Sequence, residues 1–485
     1  MSLKSGVLAV VDPLEALAAA ARSDLAALSY PDRSWLEPLA GPDGRPVEDV
    51  LIVGGGQSGV VIAAQLKREG LARVAVLDRC APGEEGPWRT YARMSELRTP
   101  KMTVGSEFGI PNLSVQRWFE TRYGTAAWGS IERIPRTDWK DYLDWYAGVT
   151  GIRIENRTLV TDIAEAGPLL RVDTLVAGKP FTRYARTVVI ATGFEGAGAW
   201  RVPQFISSRL PHRVYDHSYD AINFAMLKGK RIGVLGHGAA AFDNALAAMK
   251  AGAASVEISF RRERLPRTNP HRFLETGGLM THYPGLSEAT RWRIARFFRE
   301  HDQPPPPTAF RAALATAEIR LRPGTPWLSV GMDGEAVRVE TPAGPLRYDH
   351  LILATGCVVD LASRPELTSL APCVTLWRDR YVPPPAEEDE RLAALPYLDE
   401  AYGFIGRSPE HHWVDRVFAF NGLSAVSHGP HSTSISGHRH ALPRLVRGVT
   451  RRLVLDSEAD LLAGLADYRS NDLPIADDFE QRLGS

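Results

Sequence analysis

Apolar residues gather twice into short unbroken runs that end in glycine. Val50-Leu51-Ile52-Val53 leads into Gly54-Gly55-Gly56-Gln57-Ser58-Gly59, and Ile232-Gly233-Val234-Leu235 leads into Gly236-His237-Gly238-Ala239-Ala240-Ala241. A short apolar run bounded by turn residues reads as a strand buried on both faces. The pattern then changes to helical spacing, so each unit reads as strand, tight turn and helix. The first helix is expected from about Ser58 to Arg68, with Gly70 as its C-terminal stop. The next strand is Arg73–Leu77, ending at Asp78. Upstream, Leu14, Leu17, Ala21, Leu25 and Leu28 recur on one face of a helix expected to pack against this unit. A Pro- and Gly-rich loop completes residues 1–47.

Residues 80–150 break the alternation with an aromatic-rich insertion. Within it Trp139, Tyr142, Leu143 and Tyr146 share a helix face that Thr137 is expected to cap. A longer repeat follows. Residues 169–175 and 181–185 read as a hairpin leading into a buried strand that ends Ala191-Thr192-Gly193; residues 336–340 and 345–348 read as a second, leading to Ala354-Thr355-Gly356. Glycine at these strand ends lets the backbone pass close to a cofactor. Arg291, Arg293, Arg296 and Arg299 are expected on a solvated helix face, and Pro304–Pro307 as a rigid connection.

The order of motifs predicts an α/β protein with two Rossmann-like dinucleotide-binding domains, the second inserted into the first. The first of these domains is expected to comprise residues 48–205 and 346–485, and the second residues 206–345, with a substrate-side insertion.

Composition narrows the function classes. Among 485 residues, Lys plus Arg and Asp plus Glu both number 57, so no global charge attracts nucleic acid or an anionic membrane. No apolar run reaches spanning length and no signal peptide is read ahead of the fold. The three cysteines, Cys80, Cys357 and Cys373, lack redox-pair spacing, so a cytoplasmic enzyme without a disulfide framework is expected. His438 with His440, and His411 with His412, read as surface or core histidines, and no metal site is expected.

The two turns ask for different nucleotides. Each can place a pyrophosphate on backbone N–H groups at a helix N-terminus. Asp78 stands near the roughly 20-residue offset at which an acidic residue holds an adenosine ribose, with Arg79 beside it. The same offset from Gly236 lands on Phe260, followed by Arg261, Arg262 and Arg264. Guanidinium groups there would pair with a 2′-phosphate, which predicts NADPH rather than NADH. Glu257 competes with this reading if the strand ends sooner.

These motifs resemble the flavin-containing monooxygenase-like group, which includes Baeyer–Villiger, N-hydroxylating and flavin-containing monooxygenases proper. The resemblance rests on Gly54, Gly56 and Gly59, with Gln57 and Ser58 between them, for FAD; on Asp78 and Arg79; on the Gly86-Pro87-Trp88 turn; on Gly236, Gly238 and Ala241 for NADP; and on the paired Thr192-Gly193 and Thr355-Gly356. It covers roughly residues 48–450. His217-Ser218 matches part of the group's fingerprint ahead of the second turn, but Pro211 and Arg213 replace its Phe and Gly. Ala221 and Ile222 stand where a Baeyer–Villiger tryptophan belongs. Ser95–Lys101, Gly109-Ile110-Pro111 and Leu265–Asn269 look like a bacterial branch, a neighbourhood in which some members are described as FAD-dependent urate hydroxylases.

The resemblance implies a single-component monooxygenase that uses FAD, NADPH and O2 to hydroxylate a small organic substrate through a flavin hydroperoxide, at nitrogen or on a ring such as a urate-like purine. The partners implied are that substrate and O2, without nucleic acid or membrane, and homo-oligomerisation stays open. A flavin reductase or dehydrogenase without oxygen insertion is the alternative; a nucleotide sensor is a third. The substrate is expected between Trp88, Lys101, the aromatic insertion and Asn269–His282, with Lys101 as the candidate catalytic residue and His282 and Tyr283 nearby. His428 and His431, flanking Gly429-Pro430, lie in a segment that resembles the last FAD-contacting loop.

Overall fold

The computed structural model describes residues 12–103 and 105–470. Its first sheet runs Ile154–Glu155, Val74–Leu77, Glu48–Val53, Lys179–Gly193, all parallel. Val417–Asn421 joins the upper half of Lys179–Gly193 in parallel, while Leu169–Val176 pairs antiparallel with its lower half and carries Thr158–Ala166 outward. Val50, Leu51 and Ile52 are fully buried because both faces of this strand are covered, which explains the unbroken apolar run.

The chain leaves this domain through Gly198–Trp200 and returns through Cys357–Val359; the two crossings pair antiparallel. Between them lies a second parallel sheet in the order Ile319–Arg322, Ser255–Ser259, Arg231–Leu235, His350–Leu353, Tyr215–His217. A meander of Ser329–Asp333, Ala336–Thr341 and Gly344–Tyr348 adjoins it in the chain. The insertion of one nucleotide domain into the other is thus present. The return falls later than the expected boundary at residue 345, because His350–Leu353 pairs with Arg231–Leu235 and belongs to the second sheet.

The helix Pro13–Ala27 buries Leu17, Ala18 and Ala21, but Leu28 lies at its C-cap and is 53% exposed, so the apolar face stops at Leu25. The helix Gln57–Arg68 starts one residue before the expected Ser58. The helix Arg136–Thr150 buries Trp139, Tyr142, Leu143 and Tyr146. Its N-cap is Pro135 rather than Thr137, which lies inside the first turn.

The helix Glu288–Glu300 is only in part the expected solvated arginine face: Arg293 and Arg299 are exposed, but Arg291 and Trp292 are buried. Trp292 is fully buried in the first domain's core with Leu367 and Trp377, and its Nε1–H donates to the Glu387 carbonyl. Arg291 is buried too. Its guanidinium donates to the Ser427 carbonyl and the Tyr397 hydroxyl and stacks over Trp377. Arg293 and Arg299 pair with Glu387 and Asp389 at the rim. The second domain's insertion therefore clasps the first domain. Pro304–Pro307 does not simply connect; it lines the second domain's cavity, and Pro307 opens the helix Pro307–Ala315.

Candidate functional site: two nucleotide cradles that meet

The first turn is fixed by backbone contacts that only glycine allows. Gly54 has φ +108°, donates its N–H to the Leu77 carbonyl, and would place a Cβ 2.6 Å from the Ala191 carbonyl oxygen. A Cβ on Gly59 would stand 1.8 Å from the Gly54 carbonyl oxygen. Gly56 is the N-cap of Gln57–Arg68, so the first N–H groups of that helix face the cavity without a capping side chain. Asp78 is buried, its two carboxylate oxygens accepting from Gly55 N–H at 2.7 Å and Cys80 N–H at 2.8 Å. Its remaining lone pairs suit ribose hydroxyls. Arg79 is exposed beside it.

Neighbouring side chains brace this cradle. Ser58 Oγ lies 3.0 Å from His438 Nε2, and burial pushes that imidazole down to about 4, so it is neutral. Gln57 accepts from the Trp139 indole N–H at 3.3 Å, and Trp88 packs edge-on against Trp139. Thr192 donates to the Gly196 carbonyl and accepts from the Asn421 amide. Gln57, Ser58, Trp88, Thr192 and Asn421 line a cavity of about 1350 Å3 that includes Gly193 and the Gly429–Ser434 loop, while His438 and Trp139 brace it from behind. Its shape, with glycines where a Cβ would collide, fits an FAD-sized dinucleotide.

The second turn repeats the first. Gly236 (φ +140°) donates to the Ser259 carbonyl, and its Cβ would stand 2.3 Å from the Ala354 carbonyl oxygen. Leu235 pairs with Ser259 as Val53 pairs with Leu77. Phe260 is therefore the counterpart of Asp78. Glu257 is removed from the nucleotide by Arg322 and the Tyr348 hydroxyl, both of which donate to it. Gly238 is the N-cap of Ala239–Lys250, and Ala241 is fully buried behind it. The paired Ala-Thr-Gly strands now have a physical role: the Ala191 and Ala354 carbonyls back the two turn glycines.

Arg261 is exposed and lines the second cavity, of about 1950 Å3. Arg262 instead donates to Asp302, whose carboxylate also lies 3.3 Å from His237 Nε2. Thr355 donates to the Arg201 carbonyl, and the Gly356 carbonyl accepts from Arg201 N–H. His217 Nε2 lies 3.0 Å from that same carbonyl, with its ring stacked on Trp200. Burial holds this imidazole below its ordinary value. Ser218 is buried, and its N–H donates to the Leu353 carbonyl.

The two cavities join. Tyr91, Tyr219, Asn269, His271, Arg272 and Phe298 line both. Tyr91 comes from the aromatic insertion and Asn269, His271 and Arg272 from the expected Asn269–His282 segment, whereas Tyr219 and Phe298 come from distant segments without a motif. Lys101 is not there. Its ammonium donates to the Trp128 carbonyl and sits 4.8 Å from the Trp128 ring centroid, outside the lining of both cavities. Tyr283 is buried, donating to the Arg291 carbonyl, and borders only a small side cavity. His428 is buried, stacked on Tyr402 with Nε2 on the Asp399 carbonyl. No helix among the described residues is long and apolar enough to cross a membrane.

A parallel-sheet cradle for each of two dinucleotides, opening onto a shared junction, defines a two-nucleotide flavoprotein oxidoreductase. The family model described as pyridine nucleotide-disulphide oxidoreductase matches residues 51–275. The chain is 40% identical over 451 residues to an FAD-dependent urate hydroxylase of Xanthomonas campestris pv. campestris, spanning 93% of this chain and 95% of that protein. It is similar in fold to the ornithine hydroxylase of Pseudomonas aeruginosa (TM-score 0.67, 18% identity, 84% of this chain and 100% of that one). The ornithine N-hydroxylase of Kutzneria sp. 744 is comparably similar (TM-score 0.66, 16% identity, 84% and 100%). The chain belongs to the FAD-dependent monooxygenase family of the Xanthomonas hydroxylase, within the flavin-containing monooxygenase-like group. It is an FAD-dependent monooxygenase that uses NADPH and O2 to hydroxylate a small substrate.

Proposed function

We propose that the substrate is a urate-like purine, bound where the two cavities meet. The observation that carries this reading is the chemistry of the junction: Tyr91, Tyr219 and Phe298 offer flat apolar faces, while Asn269 and Arg272 offer hydrogen-bond groups for the polar edge of a planar heterocycle. The hydroxylase that shares 40% of its sequence with this chain is named for urate.

In this reading the backbone N–H groups after Gly54 and after Gly236 hold the two pyrophosphates, and Asp78 holds the FAD ribose. Arg261, rather than Arg262, pairs with the 2′-phosphate of NADPH, since Arg262 is committed to Asp302. FAD, when bound, supplies two-electron reduction by NADPH and activation of O2. The junction residues orient the purine and exclude bulk water from the reacting atoms. The balance is substrate, O2, NADPH and a proton giving hydroxylated substrate, NADP+ and water. In this reading the enzyme works in a reducing cytoplasm, where Cys80, Cys357 and Cys373 need form no disulfide.

The test is coupled turnover. Urate should accelerate NADPH oxidation and be hydroxylated in step with it, with little hydrogen peroxide released. Urate-independent turnover together with hydroxylation of a primary amine would replace the purine reading. NADPH oxidation that reduces a dye under argon and adds no oxygen to any substrate would instead support the reductase.

A further inference from the structure

At the flavin-side edge of the junction, His431 and Glu275 both line the cavity. His431 is held by its Nε2, 3.0 Å from the His271 carbonyl oxygen. A carbonyl carries no proton, so Nε2 must donate and the neutral ring leaves its lone pair on Nδ1. A carboxylate stands nearby: Glu275 Oε1 lies 3.9 Å from Nδ1, within reach of its charge but beyond a hydrogen bond. The other carboxylate oxygen, Oε2, accepts from Arg272 at 3.1 Å. The neutral ring gains little from that carboxylate, but once Nδ1 takes a proton the two form an ion pair. The geometry is that of a base with its stabilising counter-charge already in place.

We propose that His431 is the base that takes a ring N–H proton from the purine, with Glu275 stabilising the imidazolium that results. This rests on the purine reading above. The N–H bond breaks, its electron pair stays in the purine ring and enriches the atom that takes oxygen, and the proton moves to Nδ1. It returns to solvent before the next cycle. The titratable and charged groups facing His431 are Glu275, Arg272 and His271. Burial lowers the His431 imidazole below its ordinary value, so it is neutral near pH 7, while Glu275 works in the opposite sense. His271 is a weaker choice. Its ring packs on Phe298, and burial together with His431 pushes it down to about 4.

The experiment compares holoenzyme with His431→Gln and Glu275→Gln, using urate as the probe. Gln can still donate to the His271 carbonyl but has no Nδ1. His431→Gln should lower urate hydroxylation about 100-fold, with anaerobic reduction of bound FAD by NADPH held within about two-fold. Wild-type kcat/KM should fall on the acid side as Nδ1 gains its proton, and His431→Gln should lose that limb. Glu275→Gln should move the limb to lower pH, because the carboxylate that favours the imidazolium is gone. An unchanged rate and profile in His431→Gln would overturn the assignment while leaving the purine reading intact. Equal loss of flavin reduction and hydroxylation would also overturn it, marking a structural role. A wild-type enzyme inert to urate would remove the purine reading and the base with it.

Discussion

Gly59→Ala should yield a colourless protein. The new methyl carbon would stand 1.8 Å from the Gly54 carbonyl oxygen, far inside any non-bonded contact. Gly54 cannot give way. Its N–H is bonded to Leu77, and its other side lies against the Ala191 carbonyl. The helix Gln57–Arg68 must therefore back away from the turn, and in the proposed arrangement that helix N-terminus presents its N–H groups to the FAD pyrophosphate. Overpacking of this kind costs about 1–3 kcal/mol or more, and the displacement removes flavin contacts besides. The measurement is the ratio of flavin to protein absorbance after purification and after incubation with added FAD; the expected ratio is near zero in both. Gly129→Ala is the control, since Gly129 lies in the helix Thr125–Ser130 with nothing within 4 Å of its added Cβ, and it should stay yellow. A yellow Gly59→Ala with wild-type FAD affinity would contradict the assigned cradle.

Gly236→Ala should separate the two nucleotides. Here the added Cβ would lie 2.3 Å from the Ala354 carbonyl oxygen, on a backbone with φ +140° that side chains rarely tolerate. The damage falls on the second turn and its helix Ala239–Lys250, while the first sheet keeps its own contacts. The variant should purify yellow and be reduced by dithionite. Its affinity for NADPH should fall on the order of 100-fold, equivalent to about 3 kcal/mol. Loss of flavin with NADPH affinity retained would reverse the order of the two sites.

Much of this was legible in the sequence, for a local reason. A parallel strand buried on both faces must be apolar along its length, and a turn pressed against a neighbouring carbonyl must be glycine. Both constraints mark single positions, which is why the Asp78 and Phe260 correspondence could be found by counting and is matched by the strand registers. The rest depends on tertiary neighbours. Arg291 looks solvated until the Ser427 carbonyl and Tyr397 satisfy it. Lys101 looks like a cavity residue until Trp128 takes its ammonium. The outer strands Thr158–Ala166 and Ser329–Asp333 turn two expected hairpins into meanders, which carry no motif of their own. Tyr91 and Tyr219 already touch, and Phe298 reaches the same junction because the helix Glu288–Glu300 folds back onto the first domain.

Contiguity of the two cavities is the claim from which the chemistry follows, and oxygen-free mixing of the yellow holoenzyme with NADPH tests it most directly. Bound flavin should bleach while staying on the protein, faster with NADPH than with NADH. Flavin that dithionite reduces but saturating NADPH leaves oxidised would show that the nicotinamide cannot reach it, and the joined cavities would not be a hydride-transfer site.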